Sequence, residues 1–241
     1  MKISLIVPAF NEEKLLEGAL AHIQEAACAF VQIGWEYELI VCDNNSTDRT
    51  AAIAQVAGAK VVFEPVNQIS RARNRGAEIA TGDWLVFVDA DSHPSSALFA
   101  ELAATIAGGD CLGGGCLVTM ECKRIGARAV LRLWNGISRF ASWAAGSFIF
   151  CEARAFRELG GFSLELFASE EIDFSRRLKR LAKRLGKRVV ILRDNRILTS
   201  PRKLHLYHPS DYLKLLMRMV LGRGKALRDR GACGVWYDGR R

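Results

Sequence analysis

The sequence predicts an α/β fold: a single domain built on a Rossmann-like, mainly parallel sheet with helices on both faces. Three observations lead there. Short β-rich apolar runs alternate with helix-patterned stretches through residues 1–108. A chain of 241 residues, 50% of them hydrophobic, is long enough to bury one large core. Polar residues also gather where the apolar runs end, the edge at which such sheets bind ligands.

The elements follow in order. "ISLIV" is a strand, and "EEKLLEGALAHIQEAA" then places Leu16, Leu20, Ile23 and Ala27 on one helical stripe. "YELIVC" is a second strand. "NNSTDRTAAIAQVA" opens with capping residues ahead of a helix, with Asp48 suited to its positive start. "AKVVFEP" is a third strand, "ISRARNRGAEIA" a helix and "DWLVFVD" a fourth strand. "PSSALFAELAATIA" is a helix with Pro94 near its start. This alternation implies right-handed βαβ crossovers.

After Gly108 the rhythm changes. "CLGGGCLVTM" is a strand entered through glycines. The apolar stretch "AVLRLWNGISRFASWAAGSFIF" is interrupted by Arg132, Asn135 and Arg139, so it is not read as spanning a membrane. "SFIFCEARAFRELGGF" reads as a strand, a short helix and a Gly-Gly turn. "SEEIDFSRRLKRLAKRLGKR" is a helix with acids first and bases last, as its dipole favours. "VVILRD" and "RILTSP" are expected as two final strands, and "SDYLKLLMRMVLG" as a last amphipathic helix. One domain is expected, with halves over 1–108 and 109–208 and a C-terminal helix and basic tail over 209–241.

A net charge of +8 suggests an anionic partner: nucleic acid, a phosphorylated ligand or an acidic membrane surface. Nucleic acid is disfavoured, since there is no aromatic-rich binding strand or reader motif. The run "RRLKRLAKRLGKR" is first a solvated face and, in the alternative, a docking surface for an anionic membrane. Seven cysteines without a CxxC pair suggest free thiols in a reducing compartment rather than disulfides or zinc. "MKISLIVPAFNEE" has too short an apolar run for a secretory signal, so a cytoplasmic protein is expected.

Four groups of residues carry chemistry. Asp89 and Asp91 end the fourth strand, and residues two apart share a face if the strand continues. Two neighbouring carboxylates repel unless a cation sits with them, and a hard divalent ion sharing ligand phosphates fits. Two ordinary turn acids are the alternative. Asp43, ending the second strand, suits ribose hydroxyls or a base edge, or else an Asx-turn with Asn44 and Asn45. Arg71, Arg73 and Arg75 include at most one or two that face a diphosphate, because a helix cannot point all three one way. Glu170, Glu171 and Asp173 either satisfy a helix start or supply a general base whose pKa is raised by its neighbours.

Taken together these segments resemble the family 2 inverting glycosyltransferases, whose fold is the nucleotide-sugar-binding GT-A fold. "VPAFNEE" resembles the family's opening strand and loop, and "VCDNNSTDRT" its "DDGSTDxT" segment. "SRARNRGAEIATGDWLVFVDAD" is similar to the stretch ending in the DxD element, and "GSFIFCEARAFRELGGFSLELFASEEIDFSRRL" to the acceptor-side segment. The resemblance implies a donor-binding half over 1–108 and an acceptor half over 109–208. It places Pro8, Ala9, Asn11 and Glu12 along the nucleotide pocket, and Asp43 on the base or ribose. Arg73 and Asn74 would stand on the diphosphate side, Asp89 near the ribose or donor sugar, and Asp91 on Mn²⁺ or Mg²⁺. The usual Glu-Asp pair reads Glu170-Glu171 here, which makes Glu171 the expected base with Glu170 in reserve. Asp43 stands alone where many relatives have two acids, so uracil and guanine both remain open. In "TSPRKLHLYHP", Arg202 would close over the donor and His205 add a metal ligand, unless the segment is an ordinary basic surface strand. The implied reaction moves a sugar from a UDP- or GDP-linked donor to an acceptor hydroxyl with inversion, and the resemblance leaves open a lipid-linked or cell-envelope acceptor with peripheral membrane contact. A nucleotidyltransferase is the competing enzyme, although "PAFNEEKLL" lacks a basic glycine-rich loop. A non-catalytic nucleotide-sugar or membrane-surface module is the competing binder.

Overall fold

The computed structural model describes residues 1–120, 135, 136, 138, 144–202, 225–229, 231 and 233. The expected last helix, most of the basic tail and His205 lie outside these residues. The first half is β1 (Lys2–Ala9), α1 (Leu16–Val31), β2 (Glu36–Asp43), α2 (Thr50–Val56), β3 (Lys60–Phe63), α3 (Ile69–Glu78), β4 (Trp84–Val88), β5 (Ser92–His93) and α4 (Ser96–Ala107). The second is β6 (Cys111–Met120), β7 (Phe148–Glu152), α5 (Ala153–Glu158), α6 (Glu170–Arg184) and β8 (Arg188–Thr199), with a 3₁₀ turn over Lys225–Arg228.

All eight strands form one sheet in the order β3-β2-β1-β4-β7-β6-β8-β5. Its first four strands are parallel, as the alternating pattern requires. The expectation of a mainly parallel sheet holds, although the sheet is mixed. β7 runs antiparallel to both β4 and β6, and β5 antiparallel to β8, while β6 and β8 are parallel. The reversal has a consequence for the site: Val88, the last residue of β4, lies opposite Phe148, the first of β7. The loop entering β7 therefore reaches the same edge as the carboxyl ends of β1, β2 and β4.

The two expected final strands are one, β8, with an irregularity where Cys116–Leu117 of β6 faces Leu192 and Arg196. The extra residues there are held by the Glu101 carboxylate of α4. It accepts hydrogen bonds from the backbone N–H of Arg193, Asp194 and Asn195, so a single charged acceptor satisfies backbone groups the ladder leaves over.

Each sheet face carries its own core. Leu16, Leu20, Ile23 and Ala27 of α1 pack with Ile3, Leu5, Val7, Val86, Val88 and the α4 residues Leu98, Phe99 and Leu102. On the other face Ile6, Ile40, Leu85 and Phe87 meet Phe156, Phe162 and the α6 residues Phe174, Leu178 and Leu181. α3 lies close on this second face because Gly76 has no side chain: a Cβ there would fall 2.5 Å from Ile6 Cγ2.

Glycine at 114 is a requirement of the same kind, since β6 is hydrogen-bonded on both sides. An added Cβ would collide with the Val190 carbonyl of β8. Gly114→Ala is expected to destabilise by at least about 3 kcal/mol, the upper end of overpacking costs, or about 6–12 °C in Tm for a chain of this size. Gly18→Ala, at an exposed α1 position with open space around it, should instead stabilise by about 0.5–1 kcal/mol. Thermal melts of the two variants check both signs.

Candidate functional site

The carboxyl ends of β1, β2 and β4 and the start of β7 surround a cavity of about 300 Å³. Pro8, Ala9, Phe10 and Glu12 line it from the end of β1, Asn44 from the end of β2, and Asp89, Ala90 and Asp91 from the end of β4. Gly146 and Ser147 close one side and Phe167 to Glu171 another, with Arg73 of α3 between them.

Asp89 and Asp91 share this cavity for a different reason from strand alternation. β4 stops at Val88, and the chain turns, with Ser92 N–H donating to the Asp89 carbonyl at 3.0 Å. The turn is anchored on both sides: Asp89 N–H donates to Ser147 O, and Ser200 N–H to Asp91 O. Asp91 Oδ1 accepts from the hydroxyls of Ser92 (3.5 Å) and Thr199 (3.4 Å), leaving Oδ2 on the side of Arg202, whose Nη2 is 3.7 Å away.

Arg73 is the most buried charge in the site, at 1% exposure. Its Nη1 donates to Glu170 Oε1 at 2.8 Å, and its Nη2 to Asp89 Oδ1 at 3.0 Å and Gly146 O at 2.9 Å. Burial works against this charge, but Asp89, Glu170 and Glu171 outweigh it and push the guanidinium pKa upward. Arg71 and Arg75 stay outside, on Gln68 and Glu78. Asn74 does not face the cavity. It exchanges two hydrogen bonds with the backbone of Phe162, fixing the turn that follows α5.

Glu170 and Glu171 have different surroundings. Glu170 is buried and committed to Arg73. Glu171 is half-buried and lines the cavity, and its carboxyl pKa is pushed up to about 8. Desolvation is the main cause and the neighbouring Glu170 charge the second, with Arg73 opposing. Both residues are aimed by Ser169, the residue before α6, which sits in the left-handed region at φ 61°.

The other two non-glycine residues with positive φ, Asn11 and Asn45, also border this edge. Strained backbone among the described residues is thus concentrated at the site, a cost of order 1–3 kcal/mol per residue that the surroundings offset. Asn11 does not line the cavity; its side chain accepts from Thr47 N–H and ties the β1 loop to the β2 loop. Asp43 also stands back, accepting from Ser46 N–H in the Asx-turn, while its neighbour Asn44 faces the cavity. Arg202 reaches in from the end of β8. Its two Nη atoms clamp Glu12 at 2.8 and 2.7 Å.

Sequence reasoning missed Asn44, Gln68 and Ser169. Gln68 is buried, and its amide donates to the carbonyls of Leu164 and Leu166, both at 2.9 Å, while its N–H donates to Asn44 Oδ1. Nothing in the local pattern marks such roles, which depend on a loop nearly a hundred residues away.

Five carboxyl groups (Glu12, Asp89, Asp91, Glu170 and Glu171) thus line the cavity, met by two guanidinium groups, within a chain of net charge +8. Among the described residues there is no cluster of three side chains able to hold a metal by themselves.

The family model described as "Glycosyl transferase family 2" matches residues 4–153, more than half the chain. This chain belongs to that family. A dolichol-phosphate mannosyltransferase of Pyrococcus furiosus is 36% identical over 100 residues, covering 39% of this chain and 27% of that protein. An uncharacterized glycosyltransferase of Mycobacterium bovis is 33% identical over 104 residues, 43% of each chain. The family 2 chain therefore matches well under half the length of these relatives.

Among solved structures, a mannosyltransferase from Pyrobaculum calidifontis in complex with GDP-Man and Mn²⁺ aligns at TM-score 0.69 and 20% identity. The alignment covers 94% of this chain and 64% of that one. Glucosyl-3-phosphoglycerate synthase from Mycobacterium tuberculosis, with Mn²⁺, UDP and phosphoglyceric acid, aligns at 0.62 and 23% identity, covering 97% and 78%. The fold is shared with both.

Removing the buried guanidinium would strand two carboxylates. Arg73→Met is expected to destabilise by about 3–5 kcal/mol. Arg73→Met combined with Glu170→Gln should recover part of that loss, because one of the uncompensated charges goes with it. Urea unfolding of the single and double variants measures the recovery.

Proposed function

We propose that the chain is an inverting, divalent-metal-dependent glycosyltransferase that moves a sugar from a UDP- or GDP-linked donor to an acceptor hydroxyl. The observation that carries this is Glu171: a cavity-facing carboxyl with its pKa raised to about 8, across from Asp89 and Asp91. A base poised near the working pH suits removal of a proton from a hydroxyl.

In this reading the donor lies along the edge formed by Pro8, Ala9, Glu12 and Asn44, with Asp43 behind Asn44 shaping the base end. Asn11 and Asn74 hold the loops rather than the ligand. Glu171 takes the proton of the acceptor hydroxyl while its oxygen attacks the anomeric carbon. The bond from that carbon to the diphosphate breaks, and the nucleoside diphosphate leaves with the bonding electrons. Glu170 is held by Arg73 and is not the base. Arg73 acts on the diphosphate side through Asp89 and Glu170, which it touches, and Arg202 offers guanidinium donors to the phosphates.

The donor set of the cavity fits a hard divalent ion, Mn²⁺ or Mg²⁺. Such ions accept one or two carboxylates and complete their shell with substrate phosphates and water. Asp91 would hold it, with Asp89 near the sugar; His205 is proposed as a further ligand from the sequence resemblance alone. When bound, the ion offsets negative charge building on the leaving diphosphate. An anionic donor entering a cavity lined by five carboxyl groups requires added positive charge, which supports the same assignment.

The acceptor end is open to a lipid-linked hydroxyl on the cytoplasmic face of a membrane. The likeness to a dolichol-phosphate enzyme supports this, as do the exposed bases Arg176, Lys179, Arg180, Lys183 and Arg184 along α6. No helix among the described residues is long and apolar enough to cross a membrane, which accords with peripheral contact.

Four outcomes test the assignment. Glu171→Gln should lower turnover by at least about a thousandfold and leave UDP- or GDP-sugar binding within about twofold of the native protein; full turnover would remove Glu171 from the mechanism. In the native protein kcat/KM should climb with pH and level off above about 8, because the base works only once deprotonated. The same shift makes folding less favourable as pH rises from 4.5 towards 8, where the unfolded chain has released the proton and the folded one retains it. Glu171→Gln should therefore also melt higher than the native protein at pH 8–9. Asp91→Ala should abolish the Mn²⁺-dependent part of the thermal shift given by UDP or GDP while the melt without ligand stays cooperative.

A further inference from the structure

Resting on that reading of the cavity as a metal-dependent donor site, we propose that Arg202 is a placeholder cation. It neutralises Glu12 and Asp91 before the donor arrives, and so makes divalent-metal binding depend on the nucleoside diphosphate.

The geometry separates its two partners. Towards Glu12 the guanidinium is fully engaged, with two parallel bonds of 2.8 and 2.7 Å and both side chains well buried, at 15% and 7% exposure. This is the bidentate arrangement that gives the strongest guanidinium–carboxylate pairing. Towards Asp91 it is only near: Nη2 to Oδ2 is 3.7 Å, an ion pair without a hydrogen bond. Asp91 is therefore electrostatically compensated yet keeps that oxygen available. The arrangement is built into the strands, because Ser200 N–H holds the Asp91 carbonyl and the Ser200 hydroxyl accepts from Arg202 N–H. Arg202 Nε is buried without a hydrogen-bond partner among the described residues, an orphaned donor beside an anion-binding cavity.

A divalent ion arriving alone at Asp91 must share that carboxylate with a guanidinium whose charge repels it. A diphosphate changes the balance, because its oxygens offer acceptors to Arg202, including the unused Nε, and ligands to the ion at the same time. The two ligands then assist each other, and each raises the affinity of the other by the same factor. Until they arrive, Arg202 offsets the mutual repulsion of Glu12 and Asp91 at the junction of β1, β4 and β8.

The test is direct Mn²⁺ binding to the full chain, followed by the electron paramagnetic resonance of free Mn²⁺, without nucleotide and with UDP or GDP. Arg202→Gln should bind Mn²⁺ alone about tenfold more tightly than the native protein, given the like-charge repulsion across a separation of this order. The factor by which UDP or GDP improves Mn²⁺ affinity should fall by a similar amount. If Arg202→Gln is poorly folded because Glu12 loses its guanidinium partner, Glu12→Gln/Arg202→Gln compared with Glu12→Gln gives the same measurement without that charge. Mn²⁺ affinity that is equal or weaker after loss of Arg202 overturns the placeholder and leaves the donor site intact. Absence of Mn²⁺ binding to the native protein, even with either nucleotide, overturns the donor-site reading and the placeholder with it.

Discussion

The guanidinium of Arg73 sits at 1% exposure with one bond to Glu170, one to Asp89 and one to the Gly146 carbonyl. A charge so far from water persists only when its partners are in place and well oriented. Those partners come from the turn after β4, the loop entering β7 and the first turn of α6. Correct burial of one side chain thus requires three distant segments to be assembled, and the same three segments each contribute to the cavity wall. The interaction also divides labour between two adjacent glutamates. Burial is the main cause of the raised Glu171 pKa and the Glu170 charge, which Arg73 holds in place, is the second, while Arg73 itself opposes the rise. Similar acids given different environments take different roles.

α3 extends this control along the loop that precedes the proposed base. Gln68, Ser70, Arg73 and Asn74 all direct side-chain bonds to residues between Phe162 and Glu170. Ser70, Arg73 and Asn74, at i, i+3 and i+4, share one face of α3, and Gln68 stands just before its start, so a single element and its cap set the loop's path. Asn44 links that face to the β2 edge, accepting from Gln68 N–H while its amide donates to the carbonyls of Glu64 and Val66. The Asn44 edge of the cavity and the wall bearing Glu171 are thus tied together through α3 and Gln68. Gly76 makes this possible by letting α3 lie against Ile6.

What the sequence disclosed and what it concealed divide along a physical line. β-rich apolar runs revealed β1 to β4, of which β1 and β4 are buried on both faces, and helix patterning revealed α1 to α4; the four predicted α1 residues are all buried. The orientation of β7 was hidden, since an apolar run of "FIFC" reads the same in either direction. The merger of two predicted strands into β8 was hidden for a related reason: the polar break at Arg193–Asn195 looks like a turn, and only the Glu101 carboxylate, more than ninety residues away, lets the strand continue. At the site, Glu12, Asp89, Asp91, Glu170 and Glu171 were legible as acids at element ends, and the structure brings them to one cavity. Ser169 was not, because a left-handed serine leaves no mark in the sequence when tertiary contacts enforce it.

Charge explains why such a site can exist in a basic protein. Five carboxyl groups in one cavity would repel one another strongly if left alone. Each is handled differently: Glu170 and Asp89 by the buried Arg73, Glu12 by the two-pronged Arg202, Glu171 by retaining its proton, and Asp91 by a cation at 3.7 Å that does not bond to it. The compensation is graded from complete to partial, with Asp91 Oδ2 near the Arg202 guanidinium but not bonded to it. Most of the +8 excess lies elsewhere, including the solvent face of α6. In the proposed reading, a basic exterior draws an anionic donor towards the protein while the acidic cavity would take it together with a cation, so the same charge distribution would favour approach and make retention conditional.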